Sequence, residues 1–578
     1  MKILLTTKPS ILLIILVLAI APYFIKLGAS SLWDANEAFY AETPREMIAA
    51  GDYLNPSFNF KPRFNKPPLC YWVVAAFYKL FGVSEATERL PLALGALAMI
   101  LTAFFLGRAA HSSQAGLFAA IALATLPRFV MFSRRIIIDV YIAMFMGLTL
   151  LFFALAEKYP ERRKLFLMLM YVSAGLGVLT KGPVALLLPA IAFTIYLTIT
   201  GQLKKIRAIY LPSGVLIVAA IVLPWYAAIY FEHGLVYIKT FLLKDNLSRY
   251  TEPIWGPRRG YFFYLPVMLG DLFPWSFFLF FPVLAKIFFL LKRFGERYWK
   301  KAATAIHLTN QPALFERLKI YANQHPQTAL LIIWIAVIVG FYSLSSNKED
   351  LYISPIYTAA ASLVGIVIAN FLSTEKVNAI VYQRLIMALG IFVALLGMLL
   401  FYVIGNAAPE YQLAGEFAIA LIALLGGLTI SLMAIRKNPF ASVASLAMTF
   451  VVLNWIFVLW TLPDFERYKP VRALCEVIKT EASPDAQVGY YAVASPSMVF
   501  YLQKPIFEYY QPDELIQALA NHPEVYCIIS QDHYEALKGR FTTPTRTLAT
   551  RPVFQVKLRT LFNQRDLPQV VLITNKSE

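Results

Sequence analysis

The sequence predicts a polytopic α-helical membrane protein with a soluble α/β domain at its C-terminus, and three observations predict it. Apolar residues make up 59% of the 578 and charged residues only 15%, against about 45–50% and about 25% in soluble domains. The excess is gathered into runs close to the roughly 20 residues that cross a ~30 Å hydrocarbon layer. From Asp464 onward the pattern changes to short strand-like runs alternating with helical ones.

In order, the apolar runs are Ile11–Ile25, Leu90–Leu106, Ala115–Phe132, Val140–Ala156, Leu165–Leu179, Val184–Thr200, Ala208–Tyr230, Phe262–Leu291, Ala329–Leu344, Ile353–Phe371, Ile380–Ile404, Phe417–Ile435 and Phe440–Leu462. They predict about thirteen spans. The first is expected to stay attached, because no small-residue cleavage site follows Lys2, Lys8 and the apolar stretch. With the N-terminus in the cytoplasm, Lys158 with Arg162–Lys164, Lys204–Arg207, the basic segment Lys292–Lys319 and Arg436–Lys437 all fall inside. That is the positive-inside pattern, and it accounts for the net charge of +18 without nucleic acid as a partner. The segment Lys292–Gln327 fits an amphipathic helical hairpin on the inner leaflet.

Residues 1–462 are thus expected to form the transmembrane domain, including a long outer loop at 29–89. Residues 463–578 are expected outside as the α/β domain. Its strands are predicted at Val488–Val493, Val525–Ser530 and Val570–Thr574, its helices at Pro470–Thr480 and Pro512–Ala520. The three cysteines form no disulfide framework; Cys475 and Cys527 read as core thiols.

Unusual chemistry concentrates in the outer loop, which contains Trp33-Asp34-Ala35-Asn36-Glu37, Ala41-Glu42, Arg45-Glu46-Met47, Gly51-Asp52 and Phe64-Asn65-Lys66-Pro67. Asp34 and Glu37 share a face if a helix starts here. A carboxylate at this interface can take a proton from an attacking hydroxyl, since low dielectric raises its pKa. The same spacing also describes an N-cap followed by an acid in the first turn.

These motifs resemble the first-loop signature of the aminoarabinose transferase (ArnT-like) branch of the GT-C glycosyltransferases, a fold shared with protein O-mannosyltransferases. The similarity continues through Arg249-Tyr250, Tyr261–Pro266, Phe273-Pro274-Trp275, Ser345-Ser346-Asn347-Lys348 and Tyr352. The resemblance implies a sugar moved from a polyprenyl (undecaprenyl) phosphate to an envelope acceptor such as lipid A, at the periplasmic face of a bacterial inner membrane. The sugar it suggests is 4-amino-4-deoxy-L-arabinose. It implies Asp34, Glu37 and Asp139 as catalytic residues and Lys66, Arg249 and Tyr352 as ligands of the donor phosphate. Arg258, Arg259, Lys181 and Lys348 are further cations expected in that region. A flippase for a lipid-linked saccharide and a protein O-glycosyltransferase are the alternatives, and a monomer is expected. The chain departs from the family at Asn65, where a glutamate is usual, and at Lys244, where a histidine is expected. An amide and an ammonium are poor metal ligands, so no tightly bound metal or cofactor is expected. A divalent cation shared with the donor through Asp34 and Asp139 remains open.

Overall fold

The computed structural model describes residues 3–252, 259–280, 314–373, 379–407, 411–554 and 567–577. Among them, nine helices are long and apolar enough to cross a membrane, from Glu85–Ala110 to Pro439–Tyr468. Four shorter apolar helices accompany them: Pro9–Tyr23, Leu69–Phe81, Ser113–Ala124 and Val184–Ile199. The chain is a multi-pass α-helical membrane protein. Twelve of the predicted runs coincide with these helices; Leu69–Phe81 lies instead inside the loop at 29–89. The predicted span Phe262–Leu291 begins as a short helix, Tyr264–Asp271, and from residue 281 lies outside the described residues. The hairpin expected over Lys292–Gln327 is described only from residue 314, where Leu314–Gln324 is helical.

The elements that build the site are α1 (Ile3–Ile20), α2 (Asn36–Ala50), α3 (Leu69–Phe81), α4 (Glu85–Ala110), α5 (Ser113–Ala124), α6 (Pro127–Phe132), α7 (Ile138–Lys158) and α8 (Arg163–Lys181). Between α2 and α3, β1 (Ser57–Phe58) and β2 (Lys61–Pro62) make a small antiparallel hairpin. Its turn residues Asn59 and Phe60 both take positive φ, 55° and 59°, the conformation a tight hairpin demands. The predicted run Ala115–Phe132 is divided: Pro127 has no N–H to donate and holds Leu126 in an extended conformation, so α5 ends and α6 begins.

Small residues let the helices meet closely. A Cβ on Gly365 would lie 2.2 Å from the Ala115 carbonyl oxygen, and one on Gly116 would lie 2.5 Å from that of Phe104. Without water to drive association, such close backbone packing holds helices together in a bilayer.

The C-terminal domain is a five-stranded mixed sheet with order β4-β3-β5-β7-β6. Here β3 is Gln487–Tyr491, β4 Phe507–Tyr509, β5 Val525–Ser530, β6 Arg546–Pro552 and β7 Gln569–Thr574. Strand β3 runs parallel to β4 and β5, while β7 is antiparallel to β5 and β6. Successive residues of β5 point to opposite faces. Tyr526 and Ile528 pack with Leu474 and Ile478 of helix Pro470–Glu481, in a core continuous with that of the membrane helices. Cys527 and Ile529 pack with Leu515 and Leu519 of helix Pro512–Asn521 in a separate cluster. All three cysteines are buried and unpaired.

Candidate functional site

A cavity of about 740 Å³ opens where the loop at 29–89, the ends of α6, α7 and α8, and the segment Ser345–Tyr352 converge. Chain geometry explains what lines it. Helix α7 carries Asp139 in its first turn and α8 carries Lys181 in its last. Each charge is favourable against its helix dipole, and because the two helices pack antiparallel their ends meet, making a Lys181–Asp139 ion pair. Gly182, at φ 111°, turns the chain away directly after Lys181. Lys66 stands between β2 and the Pro67-Pro68 pair that leads into α3. Arg249 is held from below: the Asn347 amide donates to the Arg249 carbonyl (2.6 Å), the Ser346 N–H to that of Tyr250 (2.8 Å) and the Ser346 hydroxyl to that of Thr251 (2.8 Å). Tyr352 lies under Lys181, whose Nζ is 4.9 Å from the ring centre.

The wall carries both signs of charge. Besides Lys66, Arg249 and Lys181, it includes Arg63 stacked 3.8 Å over Phe39, and Arg135, 5.0 Å from the Trp33 ring and 4.7 Å from Phe132. The Pro127 break delivers Arg128, which bridges Asp271 (2.9 Å) and Asp350 (2.7 Å).

The two loop acids are held differently. Glu37 is buried and bonded by both ends of the Arg89 guanidinium (2.8 and 2.9 Å), by the Trp33 N–H (2.8 Å) and by the Ile136 N–H (3.2 Å). Burial alone would raise its pKa, but Arg89 holds the carboxyl below its ordinary value. Asp34 opens into the cavity, and its oxygens accept from the Ser497 N–H (2.7 Å) and hydroxyl (2.6 Å). Its surface faces the cavity, and the surrounding protein desolvates the carboxyl enough to push its pKa up to about 6 despite the Ser497 bonds and the nearby Lys469. Lys469, desolvated in turn, falls to about 8.

The chain is similar to several known proteins. Residues 65–227 match the family described as dolichyl-phosphate-mannose-protein mannosyltransferase. An uncharacterised protein of Aquifex aeolicus is 27% identical over 81% of each chain. The undecaprenyl phosphate-α-4-amino-4-deoxy-L-arabinose arabinosyl transferase of Pseudomonas savastanoi is 25% identical over 72% of each chain. The crystal structure of ArnT from Cupriavidus metallidurans bound to undecaprenyl phosphate superposes with a TM-score of 0.75 over 98% of both chains, at 20% identity. The chain has the ArnT-like GT-C fold.

In this ArnT-like chain, Asp34, Glu37, Lys66, Asp139, Lys181, Arg249 and Tyr352 all line the one cavity. Arg259 and Lys348 do not. The Lys348 ammonium is turned inward onto the carbonyls of Ser345 (2.5 Å) and Arg259 (3.2 Å), where burial lowers its pKa, and Arg259 donates to the Lys348 carbonyl (2.5 Å). Both tie the neighbouring segments together. Arg258 and the Lys244 side chain lie outside the described residues. The capping alternative for Asp34 is not what forms: α2 begins after Ala35 with no side-chain cap. The partner of Asp139 is Lys181, whereas Arg134 donates to the carbonyls of Pro22 and Lys26 and Arg135 stacks on rings. Three other acids of the first-loop motifs serve as scaffold. Glu42 pairs with Arg45, Glu46 ties α2 to the hairpin through the Ser57 hydroxyl (2.6 Å), and Asp52 caps the turn to Asn55. Among the described residues, no group of three or more His, Cys, Asp or Glu is arranged to hold a metal ion; Asn65, beside Lys66 on the cavity wall, offers only an amide.

The sequence reading missed Arg63 and Arg128 on the wall and Ser497 behind it. Arg63 and Arg128 carried a signal, one lying three residues before Lys66 and the other following a proline inside an apolar run. Ser497 is 463 positions from Asp34 and carried none.

Proposed function

We propose that this chain transfers a sugar, 4-amino-4-deoxy-L-arabinose in the first instance, from undecaprenyl phosphate to an envelope acceptor such as lipid A. The reaction takes place at the periplasmic face of a bacterial inner membrane, with the N-terminus in the cytoplasm and the sheet domain outside. The chain acts as a monomer, without a tightly bound cofactor. One observation carries this reading: an acid able to titrate near neutral pH, Asp34, shares a cavity with Lys66, Arg249 and Tyr352.

The chemistry follows from that arrangement. The acceptor oxygen attacks the anomeric carbon while Asp34 takes its proton. The bond from that carbon to the phosphate oxygen breaks, and the electron pair leaves with the polyprenyl phosphate. Lys66, Arg249 and the Tyr352 hydroxyl meet the developing negative charge in a site poor in water, where fixed donors are worth far more than in bulk solvent. Asp139 is neutralised by Lys181 and acts as an orienting group; Glu37 holds the loop in shape.

The test is transfer from an undecaprenyl phosphate-linked sugar by the purified chain in detergent, where chemistry survives and flipping is not scored. Lys66→Ala is expected to lower the rate by about 10²-fold; wild-type rates in that variant would overturn the assignment. A protein acceptor is the second reading, supported by the match of residues 65–227 to a protein mannosyltransferase family. Mass spectrometry of lipid A and of envelope proteins, with and without the gene, separates the two.

A further inference from the structure

The sheet domain is bonded along the strip of outer loop that carries Asp34. The Ser31 N–H donates to Glu466 (2.9 Å) and the Ser31 carbonyl accepts from Lys469. The Leu32 N–H donates to the Tyr501 hydroxyl (2.8 Å), and Asn59 exchanges two bonds with the backbone of Ile506 (2.7 and 2.8 Å). None of Ser31, Leu32 or Asn59 lines the cavity, so these bonds are sufficient as domain staples. The Ser497 bonds differ: they end on an ionisable group of the cavity wall, with one donor for each carboxylate oxygen.

We propose that Ser497 is a positioning residue for Asp34, and that the docked sheet domain therefore forms part of the reaction site. The inference rests on the reading of Asp34 as the proton acceptor. A loop carboxylate turns freely about its side-chain bonds, and a donor on each oxygen fixes its plane. Each oxygen keeps a further lone pair for the incoming proton. Ser497 is fully buried, so water does not replace its hydroxyl.

Several other groups face Asp34. Lys469 lies 4.5 Å from the centre of the Trp33 ring and favours the carboxylate. Glu37 opposes it but is matched by Arg89. The Cys475 thiol of helix Pro470–Glu481 and the Tyr490 hydroxyl of β3 feel the Asp34 charge, and Arg135 stacks on the same Trp33 ring. The hydrogen bonds to the carboxylate come from Ser497.

The test uses the full chain in detergent. The infrared band of the protonated Asp34 carboxyl, recognised by its loss in Asp34→Asn, is titrated in wild type, Ser497→Ala and Ser497→Thr. Removing a donor that favours the anion is expected to raise the midpoint by about one unit in Ser497→Ala, and the threonine hydroxyl restores it. With undecaprenyl phosphate-linked aminoarabinose and lipid A, kcat falls about tenfold while the KM for the donor changes less than about twofold. The acid limb of the rate profile moves in the same direction as the infrared midpoint. An unshifted midpoint in a Ser497→Ala protein that melts like wild type overturns the inference, even if turnover falls. A shifted midpoint in a chain that transfers nothing to lipid A supports the hold of Ser497 on Asp34 and removes the functional reading instead.

Discussion

Asp34 and Glu37 stand three residues apart on one cavity wall, yet one is enclosed by a guanidinium and backbone donors while the other is held by a serine from a distant part of the chain. The Arg89 side chain that binds Glu37 also donates to the carbonyls of Leu27 (2.6 Å), Ser30 (2.8 Å) and Ser31 (3.0 Å). A carboxylate in that setting is fixed as an anion and becomes a structural rivet. A carboxylate desolvated but held by uncharged donors titrates where an enzyme works. Surroundings, rather than residue type or spacing, set the two carboxylates apart.

The largest expected effect that would break this division comes from Asp34→Asn. Transfer should fall about 10³-fold, roughly 4 kcal/mol on the barrier, with thermal melting unchanged; an active Asn variant would strip Asp34 of its role. Arg89→Met attacks the other side of the comparison. Leaving Glu37 buried without its partner is expected to cost about 3–5 kcal/mol of stability, read as a lowered melting temperature or lost yield of folded protein. A variant that melts like wild type would mean that Glu37 is no rivet.

The pH dependence sharpens the contrast. Asp34 must be ionised to accept a proton, and its pKa is raised to about 6, so transfer is full above that pH and falls as pH drops through it, by about tenfold at one unit lower. Glu37 is depressed below its ordinary 4.5, so its contribution to stability is present above that value and is lost only as pH falls further. Melting curves that weaken together with activity near pH 6 would contradict the separation. The smallest effect is expected from Tyr501→Phe, which removes the acceptor for the Leu32 N–H and should cost about 1 kcal/mol, measured by thermal melting, with the rate profile unmoved.

Much of this was legible in the sequence because the signals were local. Hydropathy located the spans, and β3, β5, β7 and their two helices fall where short apolar runs placed them. The edge strands β4 and β6 were not foreseen: Phe507–Tyr509 is too short, and Arg546–Pro552, largely half-exposed, shows no clear alternation. In the site, Asp34, Lys66, Asp139, Arg249 and Tyr352, which the resemblance grouped, line one cavity, but the resemblance could not tell wall from scaffold. Lys348 and Arg259 sit in the same motif region and point elsewhere, since which way a side chain turns depends on carbonyls brought in by the fold. Partners such as Lys181 for Asp139, or Ser497 for Asp34, arise from packing between segments far apart in the chain, which no spacing encodes.

The sheet domain has its own topology, but one of its faces, with Leu474, Ile478 and Ile528, belongs to the same apolar core as the membrane helices. A cut between residues 462 and 470 would therefore release no freely soluble fragment; it would bare a greasy flank on both halves. The sheet domain, made later, seals a structure whose first loop emerged from the ribosome long before.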